Sequence, residues 1–307
     1  MFIAQAFRYS HSFWRYLVIP LLFFGLMALN YAAVEFLELD VAQVMQEEIA
    51  RKGSNRVLAE NLFAFVIFLA GLFFWVKYVH NQPIKALTTS RKRVDWSRFW
   101  FAFLLVAAFN IVVTLLDYFS NPQDYQLNFQ LEPFLYLVII SVILIPIQTS
   151  FEEYFFRGYL MQGLGLLARN RWVPLVLTSF IFGGLHYFNP EVTKLGDIIM
   201  IYYIGTGFVL GIMTLMDEGL ELALGFHAAN NLITALLVTA DWTAFQTHSI
   251  FKDVSEPSAG WDVLIPVFIV YPIFLFIMAK KYKWSNWREK LLGKVKKPKE
   301  LQAEVAN

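Results

Sequence analysis

Apolar residues run along this chain in blocks of about twenty, separated by short polar connections. Eight such blocks can be read, at roughly residues 16–36, 62–79, 99–116, 133–149, 172–188, 198–216, 222–239 and 263–279. About twenty apolar residues in helical form cross the hydrocarbon core of a bilayer. Helix is the form expected there, because a backbone dissolved in lipid has to satisfy its own hydrogen bonds. The pattern predicts an all-α, polytopic membrane protein of about eight transmembrane helices, with any active site inside the bundle. No internal repeat interrupts it. The expectation is one transmembrane domain over residues 1–279, followed by a basic tail over 280–307.

Composition agrees. The 307 residues are 58% hydrophobic, 18% aromatic and 16% charged, with a mean hydropathy of +0.51. A soluble domain is roughly 45–50% apolar and about 25% charged. There is no Cys, which excludes disulfides, cysteine nucleophiles and thiolate metal sites. Nothing points to nucleic acid.

The net charge of +1 hides a strong asymmetry. Of the 25 Lys and Arg residues, 20 lie in the two terminal segments and in alternate connections, and five (Arg51, Lys52, Arg56, Lys194 and Lys252) lie in the others. The positive-inside rule then places both termini in the cytoplasm of a multi-pass protein, with the cell membrane as the expected location. The first block follows Arg8 and Arg15 but is longer than a signal-peptide core, so it reads as an uncleaved anchor. Val41, Val44, Met45 and Ile49 recur at helical spacing among charges and predict an amphipathic helix on the outer surface. In the tail, Trp284, Trp287, Leu291 and Val295 share one helical face among lysines. This suggests either an interfacial helix held by anionic lipid or a solvated basic tail.

Ionisable residues within spans are costly and point to function. They gather in the second half of the chain. On a helix Arg157 lies one turn beyond Glu153, where the two side chains meet. Glu152 points about 100° away, free to face something else as a general acid or base. Among the five His, only His186 and His227 fall inside spans. Phe182 shares a helix face with His186, and Asn231 shares one with His227. A neutral His with a carboxylate can deprotonate a water, and His with Asn can supply donors to an oxyanion.

Three motifs now stand in order: Glu152-Glu153-Tyr154-Phe155-Phe156-Arg157 (EExxxR), Phe182 to His186 (FxxxH) and His227 to Asn231 (HxxxN). Over residues 133–240 the chain resembles the CPBP family of CAAX proteases and bacteriocin-processing enzymes, in its type II CAAX prenyl endopeptidase group. The resemblance implies an eight-helix intramembrane peptidase of glutamate type with no cofactor. By it, Glu152 and His186 activate the water, His227 and Asn231 hold the oxyanion, and Glu153, Arg157 and Phe182 support the site. It also implies a peptide or protein substrate, reached from the membrane or the cytoplasmic side.

Two other readings compete. Glu152, His186 and His227 are a possible three-ligand zinc set. Alternatively, the polar cluster serves a non-enzymatic immunity or scaffold protein, in which it binds a peptide or holds helices together. Gly207 and Gly211, spaced for close helix contact, fit that theme. A depth count also strains the peptidase site. With Arg157 at the inner interface, Glu152 lies ~7–8 Å inside and His227 ~9 Å, but His186 lies ~21 Å inside at 1.5 Å per residue. The site closes if the fifth helix tilts or its first turn stands outside the bilayer.

Overall fold

A computed structural model describes residues 1–297; residues 298–307 of the tail lie outside the described residues. The chain is all-α and spans a membrane several times. Its helices are α1 (Phe13–Phe36), α2 (Val41–Lys52), α3 (Ser54–Phe74), α4 (Ile84–Thr88), α5 (Trp96–Ser120), α6 (Leu131–Glu153), α7 (Met161–Ala168), α8 (Trp172–Gly184), α9 (Pro190–Leu195), α10 (Ile199–Asp217), α11 (Glu221–Leu237), α12 (Trp261–Ile265), α13 (Tyr271–Tyr282) and α14 (Trp287–Leu292). Single π-helical stretches continue α3 through Trp75–Val79, join α6 to α7 through Tyr154–Leu160, and join α12 to α13 through Pro266–Val270. Three short strands, β1 (Tyr125–Leu127), β2 (Val238–Thr239) and β3 (Phe251–Asp253), form a sheet in the order β1-β3-β2.

Six of these helical segments are long and apolar enough to cross a membrane. Two of the eight expected spans are shorter in the structure: the fifth is the 13-residue α8 and the seventh is the 17-residue α11. Helix α11 is largely buried, whereas α8 buries one face and leaves Trp172, Leu177 and Phe180 exposed on the other. Their neighbours approach closely. A Cβ at Gly207 of α10 would stand 2.7 Å from the Ser179 carbonyl oxygen of α8. A Cβ at Gly225 of α11 would stand 2.1 Å from the Phe99 carbonyl oxygen of α5. Hydrogen at these two positions lets backbones meet, as at small-residue contacts in membranes generally.

The bundle has two distinct ends. At one, the amino terminus, α4, the 169–171 turn, the 217–221 turn and the tail interlock: Gln5 donates to Thr89, Arg171 N to Gly293 and Val295 N to Arg169. Val295 is buried with Phe2, Ile3 and Leu175. The predicted tail face is therefore real in part, but its helix is only six residues long and docks onto the protein. At the opposite end lie α2, the sheet and the loops around residues 187–198 and 240–260. The predicted amphipathic helix is α2, N-capped by Asp40, whose carboxylate accepts from Ala42 N and Gln43 N.

Candidate active site

Helix α6 carries the acidic pair to the middle of the bundle. Pro146 interrupts its ladder, since it has no N–H to donate. The π turn from Tyr154 follows directly after Glu153. π turns are a recurrent means of re-aiming side chains at functional positions. Arg157 lies within this turn and is fully buried. Its Nη1 donates to Glu153 Oε1 at 2.9 Å, its Nη2 to the Gly207 carbonyl at 3.2 Å, and its guanidinium lies 4.1 Å from the centre of the Phe182 ring. Arg157 does not end its helix: the helical segment runs on for 11 residues to Ala168.

That brings the counts for Glu152 and His186 together, while His227, only six residues from Glu221, is placed beside Glu152 by contact rather than by count. Measured from Ala168, Glu152 is about as many residues inside as His186 is from Trp172. The first turn of α8 also stands among the terminal segments, where Leu175 packs on Phe2 and Ile3. His186 lies just beyond the end of α8, in a turn. Its Nδ1 sits 2.9 Å from the Phe182 carbonyl oxygen, so that nitrogen donates and Nε2 is the free acceptor. The Phe182 ring packs on the imidazole at 5.0 Å, and Tyr203 of α10 stacks on it at 4.4 Å.

His227, on α11, lies between the two glutamates. Its Nδ1 is 2.8 Å from Glu153 Oε1, and its Nε2 is 3.5 Å from Glu152 Oε2. The first is a hydrogen bond; the second is longer than one needs, and Glu152 Oε2 has no hydrogen-bond partner. The other oxygen, Oε1, accepts from Gln148 Nε2 at 2.5 Å, and Gln148 Oε1 accepts from Asn231 Nδ2 at 3.4 Å. The imidazole in direct reach of Glu152 is thus His227, whereas His186 faces the same space from another wall. Among the described residues, no group of three His, Asp or Glu side chains is arranged to hold a metal ion.

These side chains line a cavity of about 490 Å³, within the range of pockets that bind small molecules and peptide side chains. Glu152, His186, His227 and Asn231 form one part of its wall, and Phe23 and Met27 of α1 and Phe65 of α3 another. Its lining also takes in Asn189, Glu191, residues 238–240 and 242–245, and Asp253, at the opposite end. Sequence reasoning missed several of these residues. Gln148 had a signal, being polar, within a span and one turn before Glu152. Tyr203 and Glu191 had none, because only folding brings them beside His186.

The assembly so far is a polytopic helical membrane protein with paired carboxylates, two imidazoles and a carboxamide converging on a buried cavity. Comparison gives that class a family. Residues 131–233 match the family described as type II CAAX prenyl endopeptidase Rce1-like. Over 266 residues the chain is 31% identical to "Uncharacterized protein YyaK" of Bacillus subtilis (strain 168), covering 84% of this chain and 89% of that protein. The chain belongs to the Rce1-like family, a family of membrane proteases. No solved structure matches it.

Proposed function

We propose that the chain is an intramembrane endopeptidase in which Glu152 activates the water that attacks a peptide carbonyl. The observation that carries this reading is the division of the acidic pair. Each carboxylate has an Oε2 without a hydrogen-bond partner, but Glu153 is fully buried away from the cavity with Oε1 tied to both Arg157 and His227, whereas Glu152 lines the cavity with Oε2 beside His227 Nε2. Only Glu152 is free to touch a reacting atom.

In this mechanism Glu152 Oε2 and His186 Nε2 accept hydrogen bonds from the water. The carboxylate takes one proton as the water oxygen adds to the carbonyl carbon. Charge develops on the carbonyl oxygen, where Asn231 Nδ2 and the imidazolium form of His227 donate through N–H groups. Donors set in advance toward developing charge are usually the largest single catalytic effect. Glu152 then returns its proton to the amide nitrogen, the C–N bond breaks, and a carboxylic acid and an amine leave. Glu153 fixes the orientation of His227, and Arg157 neutralises Glu153. Gln148 holds Glu152 Oε1, which leaves Oε2 for the water.

A zinc-dependent version would use Glu152, His186 and His227 as ligands. A non-enzymatic scaffold could bind peptide in the same cavity. The test is purified protein incubated with a panel of prenylated and unmodified peptides, comparing wild type with Glu152→Gln and adding chelator. The expected result is cleavage by wild type, none by the variant, and no effect of chelation. Chelation that abolishes cleavage, with zinc restoring it, overturns the metal-free mechanism; activity retained in Glu152→Gln overturns the role of Glu152.

A further inference from the structure

Beyond His186 the cavity extends as an arm toward the opposite end of the bundle. Tyr203, stacked on His186, forms its near wall, and Asn189 Nδ2 donates to the Tyr203 hydroxyl at 3.4 Å. Glu191 on the short α9 lines the same arm. Its Oε1 accepts from Ala244 N at 2.8 Å, which joins α9 to the 240–245 loop. Its Oε2 is buried and has no hydrogen-bond partner, and so is the indole N–H of Trp242 across the arm.

A buried carboxylate oxygen without a partner is costly to maintain, and burial pushes the Glu191 carboxyl above its ordinary range. The surroundings supply no counter-charge. Glu152, Glu191 and Asp253 line the cavity, and among the described residues no Lys or Arg lines it. The wider end has the same sign: segments 35–60, 117–132, 187–198 and 240–256 hold fourteen Asp and Glu against five Lys and Arg. Four of those five, Arg51, Lys52, Arg56 and Lys252, already pair with Glu48, Glu60 or Asp241. An approaching cation is drawn to this end and a polyanion repelled.

We propose that this arm is a subsite for a Lys or Arg side chain of the substrate peptide, with Glu191 as its counter-charge and the Tyr203 and Trp242 rings beside its methylene stem. The proposal rests on the endopeptidase reading for the meaning of the cavity, and its chemistry is separate from the cleavage step. A cation entering the arm completes Glu191 Oε2 in a charge-assisted bond and stacks against aromatic faces. Because the arm runs toward the end poor in Lys and Arg, the substrate is a basic segment presented on that side of the membrane.

The test uses short peptides of an alanine host, with a single Lys, norleucine or Glu moved through each position. Cleavage is read by mass spectrometry for wild type, Glu191→Gln and Glu191→Arg. Binding of the same fluorescently labelled peptides to Glu152→Gln, with and without Glu191→Gln, is read by anisotropy. Ratios between peptides within one variant cancel any loss of folded protein. Wild type is expected to prefer Lys over norleucine at one position, Glu191→Gln to lose about tenfold to a hundredfold of that ratio, and Glu191→Arg to favour Glu. A Lys preference unchanged in Glu191→Gln, or absent in wild type, overturns the subsite. Glu191-dependent binding of Lys peptides without any cleavage by wild type supports the subsite and overturns the hydrolase reading instead.

Discussion

The two ends of the bundle are built on opposite principles. At the terminal end, the buried carboxylates of Asp217 and Glu221 are paired with arginines. Asp217 accepts from Arg91 at 2.6 Å, Arg98 at 2.5 Å and the Trp284 indole at 3.1 Å, while Glu221 accepts from Arg91 and from Asp95 N. At the opposite end Glu191 Oε2 and the Trp242 N–H are left unpartnered around a cavity, and the roof is loop and a three-stranded scrap of sheet. A paired network holds helices in place but offers nothing to a ligand. Unpartnered polar atoms cost stability, and that cost is recovered when a ligand supplies the partner. The contrast teaches where this molecule is braced and where it is open, and the reactive groups lie between the two.

The sharpest way to break the comparison is to reverse the ends. Because the chain has no native Cys, Lys92→Cys and Ser258→Cys report each end separately to a membrane-impermeant thiol reagent. The expected outcome is all-or-none: position 92 labelled only from the cytoplasm and position 258 only from outside. The opposite result would put the cavity mouth on the cytoplasmic side and return the substrate to that compartment.

Next in size is the loss of Glu152. Glu152→Gln keeps the volume and removes the base, so turnover of any cleaved peptide should fall by about 10²–10⁴-fold, with thermal stability in detergent close to wild type. A melting temperature that collapses with activity would mean Glu152 is a brace like its neighbour. The brace itself comes third. Glu153→Gln strands a fully buried guanidinium, and breaking one side of such a pair costs roughly 3–5 kcal/mol. Arg157→Met should match it, and the double variant should regain part of the loss. Stability losses equal at Glu152 and Glu153 would sink the division between them.

The smallest effect belongs to the closed end. Asp217→Asn leaves Arg91 and Arg98 without their shared carboxylate, but both guanidiniums are about a fifth exposed, so water compensates in part. A loss of about 1–3 kcal/mol is expected in a denaturation curve, with the Lys-over-norleucine preference of the cavity unaltered. A changed preference would show that the two ends are coupled.

Much of this was legible in the chain before folding. Apolar blocks of membrane length report directly on the solvent, so the all-α, multi-pass architecture follows from local composition. The i,i+4 spacing of Glu153 and Arg157 is a property of a single helix, and their 2.9 Å pair needed no partner element to be anticipated. Counting spans was harder. Helix α11 is largely buried by other helices and α8 on one face, and a helix solvated by protein need not be as long as one that meets lipid on every side.

What only the tertiary structure decided concerns distances between elements. Helical periodicity placed Phe182 and Asn231 beside their histidines, but it carried no information on which imidazole would meet which carboxylate. The answer, His227 between Glu152 and Glu153, depends on the crossing of α6 and α11. The burial of Arg157 was hidden for a related reason: a charged residue after an apolar run resembles the end of a span, and only packing against Phe182 and Gly207 reveals it as enclosed by protein. The direction of the cavity was equally invisible. Whether a buried site opens toward one end or the other is set by which loops fold over it, and loops carry little periodic signal. Sequence thus determined the solvent, the helices and the reactive residue types, because these are local. The contacts among them, and the open end, are non-local and belong to the fold.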